Sequence, residues 1–181
     1  MMGRSTEELV LLVDENDQPT GTMEKMDAHR TGELHRAFSV FLFDAKGRTL
    51  LQKRAPGKYH SPGLWTNACC SHPRPGEELV EAARRRVQEE LGALVAPEPK
   101  FHFRYRAQFE NGLIENELDH VLFAALDGTC TPDPLEVEAL RWVAPTDLTT
   151  ELEAHPERFT VWLRACWPLV ARLHRSSTTS A

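Results

Sequence analysis

Residues 37–43 (AFSVFLF) form an apolar run in which Ser39 is the single polar residue. A strand with one solvated face alternates apolar and polar side chains, whereas a continuous apolar run is typical of a strand buried on both faces. Predicted strands and helices surround this run without a regular βαβ alternation. We therefore expect an α/β fold of the mixed α+β type, in which a mixed β-sheet sandwich is flanked by helices.

Periodicity and turn residues place the other elements. Residues 101–109 alternate apolar and polar side chains with period two, which predicts a strand. Gly92 is expected to end a helix over residues 77–91. Further strands are predicted at residues 8–13, 49–52, 113–126 and 140–143, a second helix at 156–173, and loops at 20–36 and 55–66. These elements make a single domain over residues 1–175, and the polar segment 176–181 is expected to be a disordered tail.

Composition argues against several classes of function. The net charge of −6 provides no global basic field for nucleic acid, so an anionic ligand would need a local cluster of Lys and Arg. Without an apolar run of membrane-spanning length or a secretory signal, we expect no membrane partner. Without a long apolar surface stripe, we expect a monomer. Four cysteines are too few for a disulfide framework in this chain, which favours a reduced, cytoplasmic setting: Cys69, Cys70, Cys130 and Cys166.

The first predicted helix carries a carboxylate beside its core stripe. At about 100° per residue, Leu79, Val87 and Leu91 share one face, and Glu90 and Arg86 fall at the edge of that face. One interpretation is an Arg86–Glu90 ion pair on a solvated face. However, Arg before Glu is the less favourable order for such a pair. A carboxylate so near the core also needs a cation, so we favour a functional role for Glu90.

A second acidic cluster follows from the strand predicted over residues 113–126. Because strand side chains alternate, Glu115, Glu117 and Asp119 share one face. An exposed acidic edge strand would explain them, but the apolar residues that follow argue against full exposure. Carboxylates this close repel one another unless solvent or a cation relieves them, and histidine can add nitrogen ligands to a metal. The candidate nitrogen ligands are His29, His35 and His72.

Residues 71–93 resemble the Nudix box, G-x5-E-x7-R-E-U-x-E-E-x-G-U, where U is an apolar residue. Two positions depart from it, since Ser71 stands for the first Gly and Arg86 stands for a Glu. In Nudix hydrolases the carboxylates of this helix hold the divalent cations that activate water against a diphosphate. With Arg86 in place of a carboxylate, the resemblance implies a site that holds a diphosphate without easily hydrolysing it.

Further segments resemble type I isopentenyl-diphosphate isomerases, the non-hydrolytic branch of the Nudix fold. They are EKMDAH…LHRAFSVFLF, QKRAPGKYHSPGLWTN, TNACCSHP and ENE, and the resemblance covers nearly the whole domain. It implies a Nudix-like fold and an isomerase of isoprenoid precursor biosynthesis. The implied reaction interconverts isopentenyl diphosphate and dimethylallyl diphosphate by protonating and deprotonating the alkene. The implied partner is this small-molecule diphosphate, with no nucleic acid and no membrane.

The resemblance also implies roles for individual residues. Cys70 and Glu117 lie on opposite sides of the substrate, and Tyr105 relays or stabilises the proton of Glu117. Glu90 binds a Mg²⁺ ion that bridges to the diphosphate. A second divalent ion (Mn²⁺, Mg²⁺ or Zn²⁺) is implied at His29, His35, His72, Glu115 and Glu117. The implied substrate contacts are Lys25, Arg54, Lys58 and Arg86 at the diphosphate and Trp162 at the cationic carbon.

Alternatives remain for several of these residues and for the function. Tyr105 and Trp162 also suit a purely structural core role, and Lys25 and Lys58 suit a solvated surface. Cys69 is expected to be a buried small hydrophobe. A Nudix hydrolase and a structural metal-binding module are the rival functions; Arg86 argues against the first, and the lack of CxxC-like ligand pairs argues against the second. Five histidines match no motif and are expected to be structural or on the surface: His60, His102, His120, His155 and His174.

Overall fold

The computed structural model describes residues 8–178. These residues form strands β1 (Leu9–Val13), β2 (Pro19–Glu24), β3 (His35–Phe43), β4 (Thr49–Arg54), β5 (Trp65–Asn67), β6 (Cys69–Ser71), β7 (Glu98–Gln108), β8 (Ile114–Ala125) and β9 (Val137–Val143). The helices are α1 (Lys25–Thr31), α2 (Leu79–Leu91), α3 (Pro145–Ala154) and α4 (Val161–Thr178), with a 3₁₀ turn at Pro156–Arg158.

Strand β3 lies at the centre of one mixed sheet. It pairs in parallel with β8 along its whole length, from His35 beside Glu117 to Phe43 beside Ala125. It pairs antiparallel with β6 and, near its two ends, with β1 and β4. Strand β7 extends the sheet beyond β8, and β5 and β9 pair with β4. The mixed sheet predicted from the sequence is confirmed.

Two apolar clusters cover the two faces of β3. Phe38, Val40 and Leu42 pack in the cluster that contains the apolar face of α2. Phe41 and Phe43 point the other way and pack with α3 and α4. Each such buried side chain contributes about 1.5–3 kcal/mol to folding. The chain thus has helices on both faces of the sheet, which explains why the run over residues 37–43 lacks a polar face.

Helix α2 presents the face that its sequence predicts. It begins two residues later than expected and ends at Leu91. Gly92 follows in the left-handed conformation with φ 62°, and its N–H bonds to the carbonyl of Gln88. A Cβ atom at Gly92 would lie 2.8 Å from the backbone oxygen of Thr131, so glycine is required there. Its buried residues are Ala82, Ala83, Val87, Glu90 and Leu91.

Residues 20–36, predicted as a loop, instead contain most of β2, the helix α1 and the start of β3. The carboxylate of Glu24 caps α1 by accepting the Asp27 N–H at 3.0 Å. Gly32 ends the helix with φ 73°. Helix α1 is too short to show an apolar period in the sequence, which is why the prediction was wrong. The loop predicted at 55–66 is confirmed up to β5.

The C-terminal region also differs from its prediction. Helix α3 had no counterpart in the sequence interpretation, and α4 begins at Val161 rather than at residue 156. Residues 176–178 continue helix α4, and the Ser176 and Ser177 hydroxyls donate hydrogen bonds to carbonyls one turn earlier. The rest of the predicted tail, 179–181, lies outside the described residues. None of the helices within residues 8–178 combines the length and apolar character needed to cross a membrane.

Candidate active site

Strand register brings together a tyrosine and two carboxylates. Tyr105 on β7 pairs with Glu117 on β8, and the next inward position of β8 is Glu115. The Tyr105 hydroxyl donates to Glu117 Oε2 at 2.5 Å, and its oxygen lies 2.9 Å from Glu115 Oε2. Glu115 is 4% exposed and Glu117 is 5% exposed. The interpretation of these carboxylates as an exposed acidic edge is therefore wrong.

Three histidines from different elements converge on Glu117. His29 lies on α1, His35 begins β3, and His72 follows β6. His72 Nε2 lies 3.0 Å from Glu117 Oε1, and His35 Nε2 lies 3.4 Å from the same oxygen. The possible ligand atoms of these four residues lie within 4.8 Å of one another. The chain thus assembles the three predicted histidines around one carboxylate, with Glu115 beside them.

Two of these rings each leave one nitrogen available to an ion. His29 Nδ1 bonds to the carbonyl of Lys25 at 2.6 Å, and His35 Nδ1 bonds to the carbonyl of Glu33 at 2.8 Å. A nitrogen that faces a carbonyl carries the proton, so the lone pair of the neutral ring lies on Nε2. Both Nε2 atoms are buried and lack a hydrogen-bond partner. Imidazole nitrogens held in this way beside carboxylates fit a divalent cation.

The two carboxylates have pKa values shifted in opposite directions. Burial opposes the ionisation of Glu117, but the neighbouring His35 and His72 hold its pKa well below its ordinary value. Burial and repulsion from Glu117 raise the pKa of Glu115 to about 8. Burial, followed by the two carboxylates, raises the pKa of Tyr105 well above its ordinary value. At neutral pH and without a metal, an ionised carboxylate therefore lies beside two proton-bearing groups.

His60 belongs to this cluster, although no motif assigned it a role. It lies in the loop between β4 and β5, is 4% exposed, and its Nε2 lies 2.6 Å from Glu115 Oε1. Burial and the charge of Arg54 lower the pKa of His60 to about 3, so its ring is neutral. Of the two expectations for His60, a surface position is excluded by its burial, and a structural role stays open. The only signal in the sequence was its position two residues after Lys58.

Strand alternation separates the two adjacent thiols. Cys69 pairs with Val40 and is fully buried in the core against α2, as the sequence predicts. Cys70 pairs with Ser39 and lines the same cavity as Tyr105 and the histidine cluster. Within residues 8–178, all four cysteines are free thiols.

Three polar groups surround the Cys70 thiol. Its S–H donates to Asn67 Oδ1 at 3.0 Å, Trp162 Nε1 donates to the sulfur at 3.1 Å, and the Ser39 hydroxyl lies 3.5 Å away. The side-chain nitrogen of Asn67 donates to two backbone carbonyls, which fixes its oxygen toward the thiol. Burial and the nearby Asp119 raise the pKa of Cys70 to about 12. The resting group is therefore a neutral, oriented thiol.

Asp119 lies between the thiol and the acidic cluster. Its Oδ2 accepts the Ser39 hydroxyl at 2.7 Å, whereas its buried Oδ1 has no hydrogen-bond partner. Burial and repulsion from Glu117 raise the pKa of Asp119 well above its ordinary value. The period of two placed Asp119 on this face of β8, but no motif assigned it a role.

The four predicted basic residues line the same cavity. The Arg54 guanidinium lies 5.3 Å from the centroid of the Trp162 ring, and Lys58 forms an ion pair with Glu136. The buried Nε atoms of Arg54 and Arg86 have no hydrogen-bond partner. Unpaired guanidinium donors next to lysines fit an anionic group with many acceptor oxygens. The residues of this basic cluster are Lys25, Arg54, Lys58 and Arg86.

Glu90 is not among the residues that line this cavity. Arg86 donates to its Oε1 at 2.5 Å, and Gln52 donates to its Oε2 at 3.1 Å. The Arg86–Glu90 ion pair therefore forms, but Glu90 is only 4% exposed, so the pair does not lie on a solvated face. Burial opposes the charge of Arg86, but Glu90 raises its pKa above the ordinary value. A metal ion at Glu90 would have to share or displace this guanidinium.

Comparison with known proteins adds independent evidence. The model of the NUDIX domain matches residues 33–163. The chain is 54% identical over 160 residues to isopentenyl-diphosphate Delta-isomerase 1 of Aromatoleum aromaticum. The aligned residues cover 88% of this chain and 90% of that protein. It is 46% identical over 170 residues to the isopentenyl-diphosphate Delta-isomerase of Nocardia farcinica, covering 93% of this chain and 97% of that protein.

Solved structures show the same architecture at lower identity. A Deinococcus radiodurans protein superposes with a TM-score of 0.75 at 24% identity, covering 89% of this chain and 98% of the other. The MutT protein of Methanosarcina mazei superposes with a TM-score of 0.62 at 17% identity, covering 77% of this chain and 94% of the other. These similarities concern the fold alone and agree with the mixed sheet between helices.

Proposed function

The chain belongs to the Nudix domain family and, within it, to the isopentenyl-diphosphate Delta-isomerases, and from this membership we propose that it interconverts isopentenyl diphosphate and dimethylallyl diphosphate. Moving the double bond by one position adds a proton at one carbon and removes a proton from another. The observation that carries the proposal is one cavity lined by Cys70, Tyr105 and Glu117 together with the basic cluster.

We assign the two proton transfers to Cys70 and Glu117. They come from different strands, β6 and β8, and in the resting site the thiol carries its proton while Glu117 is ionised. One group can therefore donate a proton while the other accepts one, and their protonation states exchange when the reaction runs in reverse. Tyr105, 2.5 Å from Glu117 Oε2, orients that carboxylate and can pass a proton to it.

Protonation of the alkene leaves positive charge on a tertiary carbon. Trp162 lines the cavity, and the hydrogen bond from its Nε1 to Cys70 fixes the ring. An aromatic ring near a cation is worth about 0.5–2 kcal/mol, more when water is excluded. Trp162 and Tyr105 are almost fully buried. We therefore assign Trp162 to the stabilisation of this charge, and the buried rings of Trp162 and Tyr105 to the exclusion of water that would trap the cation.

The His/Glu cluster is proposed to hold a divalent ion through His29, His35, His72, Glu115 and Glu117. Mn²⁺, Mg²⁺ and Zn²⁺ all suit this mixture of imidazole and carboxylate donors. When bound, the ion supplies positive charge that orders both carboxylates and favours the ionised form of Glu115. The chain itself presets the donors, because backbone carbonyls hold the His29 and His35 rings with Nε2 toward the cluster.

The basic cluster is proposed to bind the diphosphate. Lys25 and Lys58 supply point charges, while Arg54 and Arg86 supply guanidinium donors. We also propose that Glu90 would hold a Mg²⁺ ion, which would supply positive charge for the diphosphate, and that Arg86 would have to release Glu90 for this. Arg86 occupies a position at which Nudix hydrolases carry a metal-binding carboxylate, and this favours holding the diphosphate over hydrolysing it.

The setting of the enzyme is also a proposal. We propose one domain over residues 1–175 that acts as a cytoplasmic monomer, with no nucleic-acid or membrane partner. The net charge of −6 disfavours nucleic acid, and free thiols suit a reducing compartment. Light scattering after size exclusion would reveal a dimer if the proposal of a monomer is wrong.

Incubation with isopentenyl diphosphate and Mg²⁺ in deuterated water, followed by NMR, tests the activity. We expect dimethylallyl diphosphate carrying deuterium, and no release of phosphate. Glu117→Gln, which keeps the shape of the side chain, should lose about 10²–10⁴-fold of the rate, as expected for a positioned proton-transfer group. Folded, metal-loaded protein that incorporates no deuterium would refute the isomerase. Released phosphate would indicate a hydrolase instead.

A further inference from the structure

His60 brings a second set of donor atoms to the metal cluster. Possible ligand atoms of His29, His60 and Glu115 lie within 4.8 Å of one another, and all three residues are buried. This set shares His29 with the four-residue set around Glu117. We infer that His60 is a sixth ligand residue of one metal centre, an inference that rests on the proposed divalent-ion site.

The two sets share a nitrogen that can bind only one ion. His29 Nδ1 is bonded to the carbonyl of Lys25, so Nε2 alone remains, and it is buried without a hydrogen-bond partner. Two donors that each lie about 2.1 Å from the same ion are at most about 4.2 Å apart. Within each set, atoms that lie within 4.8 Å of one another therefore need shifts of only a few tenths of an ångström to share an ion, and joining the two sets on one ion requires a larger approach of His60 to the set around Glu117. An ion on His29 Nε2 is within reach of both sets.

The surroundings of His60 hold its ring toward the cluster. The ring stacks on Phe109 with centroids 4.7 Å apart, and it meets Trp162 edge-on at 5.7 Å. Arg54 donates to the His60 carbonyl at 3.1 Å, which fixes the backbone of this loop. With Nε2 only 2.6 Å from Glu115 Oε1, the nitrogen already lies beside a proposed metal ligand. Ligand rings of metal sites are commonly preset by such packing and hydrogen bonds.

A sixth ligand changes what the ion can do. These four imidazole nitrogens and two carboxylates would supply six donors to a bound ion. Such an ion would act on the reaction through the carboxylates that it orders. His60 also connects the centre to Trp162, the aromatic wall proposed to face the cationic carbon.

A simple hydrogen bond from His60 to Glu115 would explain the same contact without an ion. Glutamine separates the two explanations, because its amide nitrogen can donate to Glu115 but has no lone pair suited to a metal. His60→Gln should therefore keep a hydrogen bond and lose the imidazole nitrogen, with only an amide oxygen left as a donor. His102, exposed on β7, offers the matched control, and His29→Gln removes a ligand of both sets.

The experiment titrates the metal-free chain with Mn²⁺ in the absence of diphosphate, with free Mn²⁺ followed by electron paramagnetic resonance. We expect His60→Gln to raise the Mn²⁺ dissociation constant at least about tenfold. His29→Gln should have an effect at least as large, and His102→Gln should match the unaltered chain. Co²⁺ absorption should also change in His60→Gln and not in His102→Gln, because only the former loses an imidazole.

Two outcomes separate this inference from the proposed function. If the unaltered chain binds Mn²⁺ and His60→Gln binds it within about threefold, the ligand role of His60 is wrong but the site stands. If the unaltered chain binds no Mn²⁺, the proposed metal site itself fails. Should His60→Gln not fold, pulsed resonance on the metal-loaded unaltered chain counts the bound imidazoles. A count of four bound imidazoles would support the inference, and a count of three would overturn it.

Discussion

At the scale of single residues, Cys69 and Cys70 acquire opposite surroundings from one step along a strand. Burial and the charge of Glu90 raise the pKa of Cys69 well above its ordinary value, and its side chain packs in the apolar cluster against α2. Cys70 faces the cavity, where Asn67 Oδ1 accepts a hydrogen bond from its S–H and Trp162 donates one to its sulfur. The same functional group is thus a core side chain at one position and a proposed acid–base group at the next.

We predict that Cys70→Ala removes turnover, whereas Cys69→Ala retains most of it. Loss of a positioned proton-transfer group lowers the rate by about 10²–10⁴-fold. Cys69→Ala removes only a small buried side chain, which costs stability of about 1 kcal/mol without disturbing the cavity. Initial rates with isopentenyl diphosphate, measured on variants with verified folding, provide the comparison. Equal losses in the two variants would mean that the reactive thiol is wrongly assigned.

The sequence predicted which residues meet, but not all of their partners. Glu115, Glu117 and Asp119 share a face because strands alternate, and that inference needed no structure. The sequence did not predict the position of His60, because residues 55–64 have no periodicity from which the orientation of its side chain could be inferred. The sequence allows either an Arg86–Glu90 ion pair or a functional role for Glu90. Only the packing of α2 against the sheet shows that the ion pair forms and that Glu90 is buried.

At the scale of elements, a bidentate ion pair between Glu77 and Arg85 holds the start of α2 against the segment that precedes it. Arg85 donates to both Glu77 oxygens, at 2.7 Å and 2.9 Å, and both side chains are about four-fifths buried. These hydrogen bonds lower the pKa of Glu77 below its ordinary value of 4.5. A carboxyl with a lowered folded-state pKa stabilises the protein above its unfolded pKa, and that contribution disappears as pH falls through the folded value.

Glu77→Gln is therefore expected to lower the free energy of unfolding by about 1 kcal/mol at pH 7. The difference from the unaltered chain should shrink as pH falls below 4.5. Urea unfolding at several pH values measures it. Glu81→Gln is the matched control, since the Glu81–Arg84 pair is more exposed and should contribute less than about 0.5 kcal/mol. A Glu77→Gln difference that stays constant down to pH 3 would contradict the ion-pair explanation.

Elements with a long apolar period were predictable, and short or irregular ones were not. The span of α2 was correct to within two residues, and its cap at Gly92 was correct. Helix α1 depends instead on the Glu24 cap and on Gly32, which stabilise a helix of seven residues that has no apolar stripe. This helix places Lys25 and His29 one turn apart. The helix that the sequence did not predict therefore carries two proposed site residues.

At the scale of the whole molecule, the parallel pairing of β3 with β8 creates the site. It places His35 beside Glu117, although about eighty residues separate them in the chain. Parallel pairing requires a long crossover, so no local pattern in the sequence reveals this register. The proposed metal cluster consequently joins α1, the loop before β5 and the ends of β3, β6 and β8. An ion bound there would cross-link the N-terminal half of the chain to β8.

Removal of divalent ions is therefore expected to destabilise the whole molecule, and more so at higher pH. An ion present at a hundredfold excess over its dissociation constant adds about 2.7 kcal/mol to the free energy of unfolding. Without it, burial and repulsion from Glu117 raise the pKa of Glu115 to about 8. A carboxyl whose pKa is raised by folding binds an extra proton in the folded state, so stability falls as pH rises from 4.5 toward 8. Bound metal replaces that proton, so the gap between the metal-bound and metal-free forms should widen over this range.

Thermal unfolding of the chain with Mn²⁺ or with a chelator, at pH 5.5 and pH 8, measures this gap. His35→Gln should reduce the gap at both pH values, because it removes a ligand at the start of β3, whereas the exposed His155→Gln should leave the gap unchanged. A gap of the same size at both pH values would mean that proton release from Glu115 is not coupled to metal binding. In that case the ion would be held by the histidines and Glu117, with Glu115 remaining a protonated hydrogen-bond partner of Tyr105.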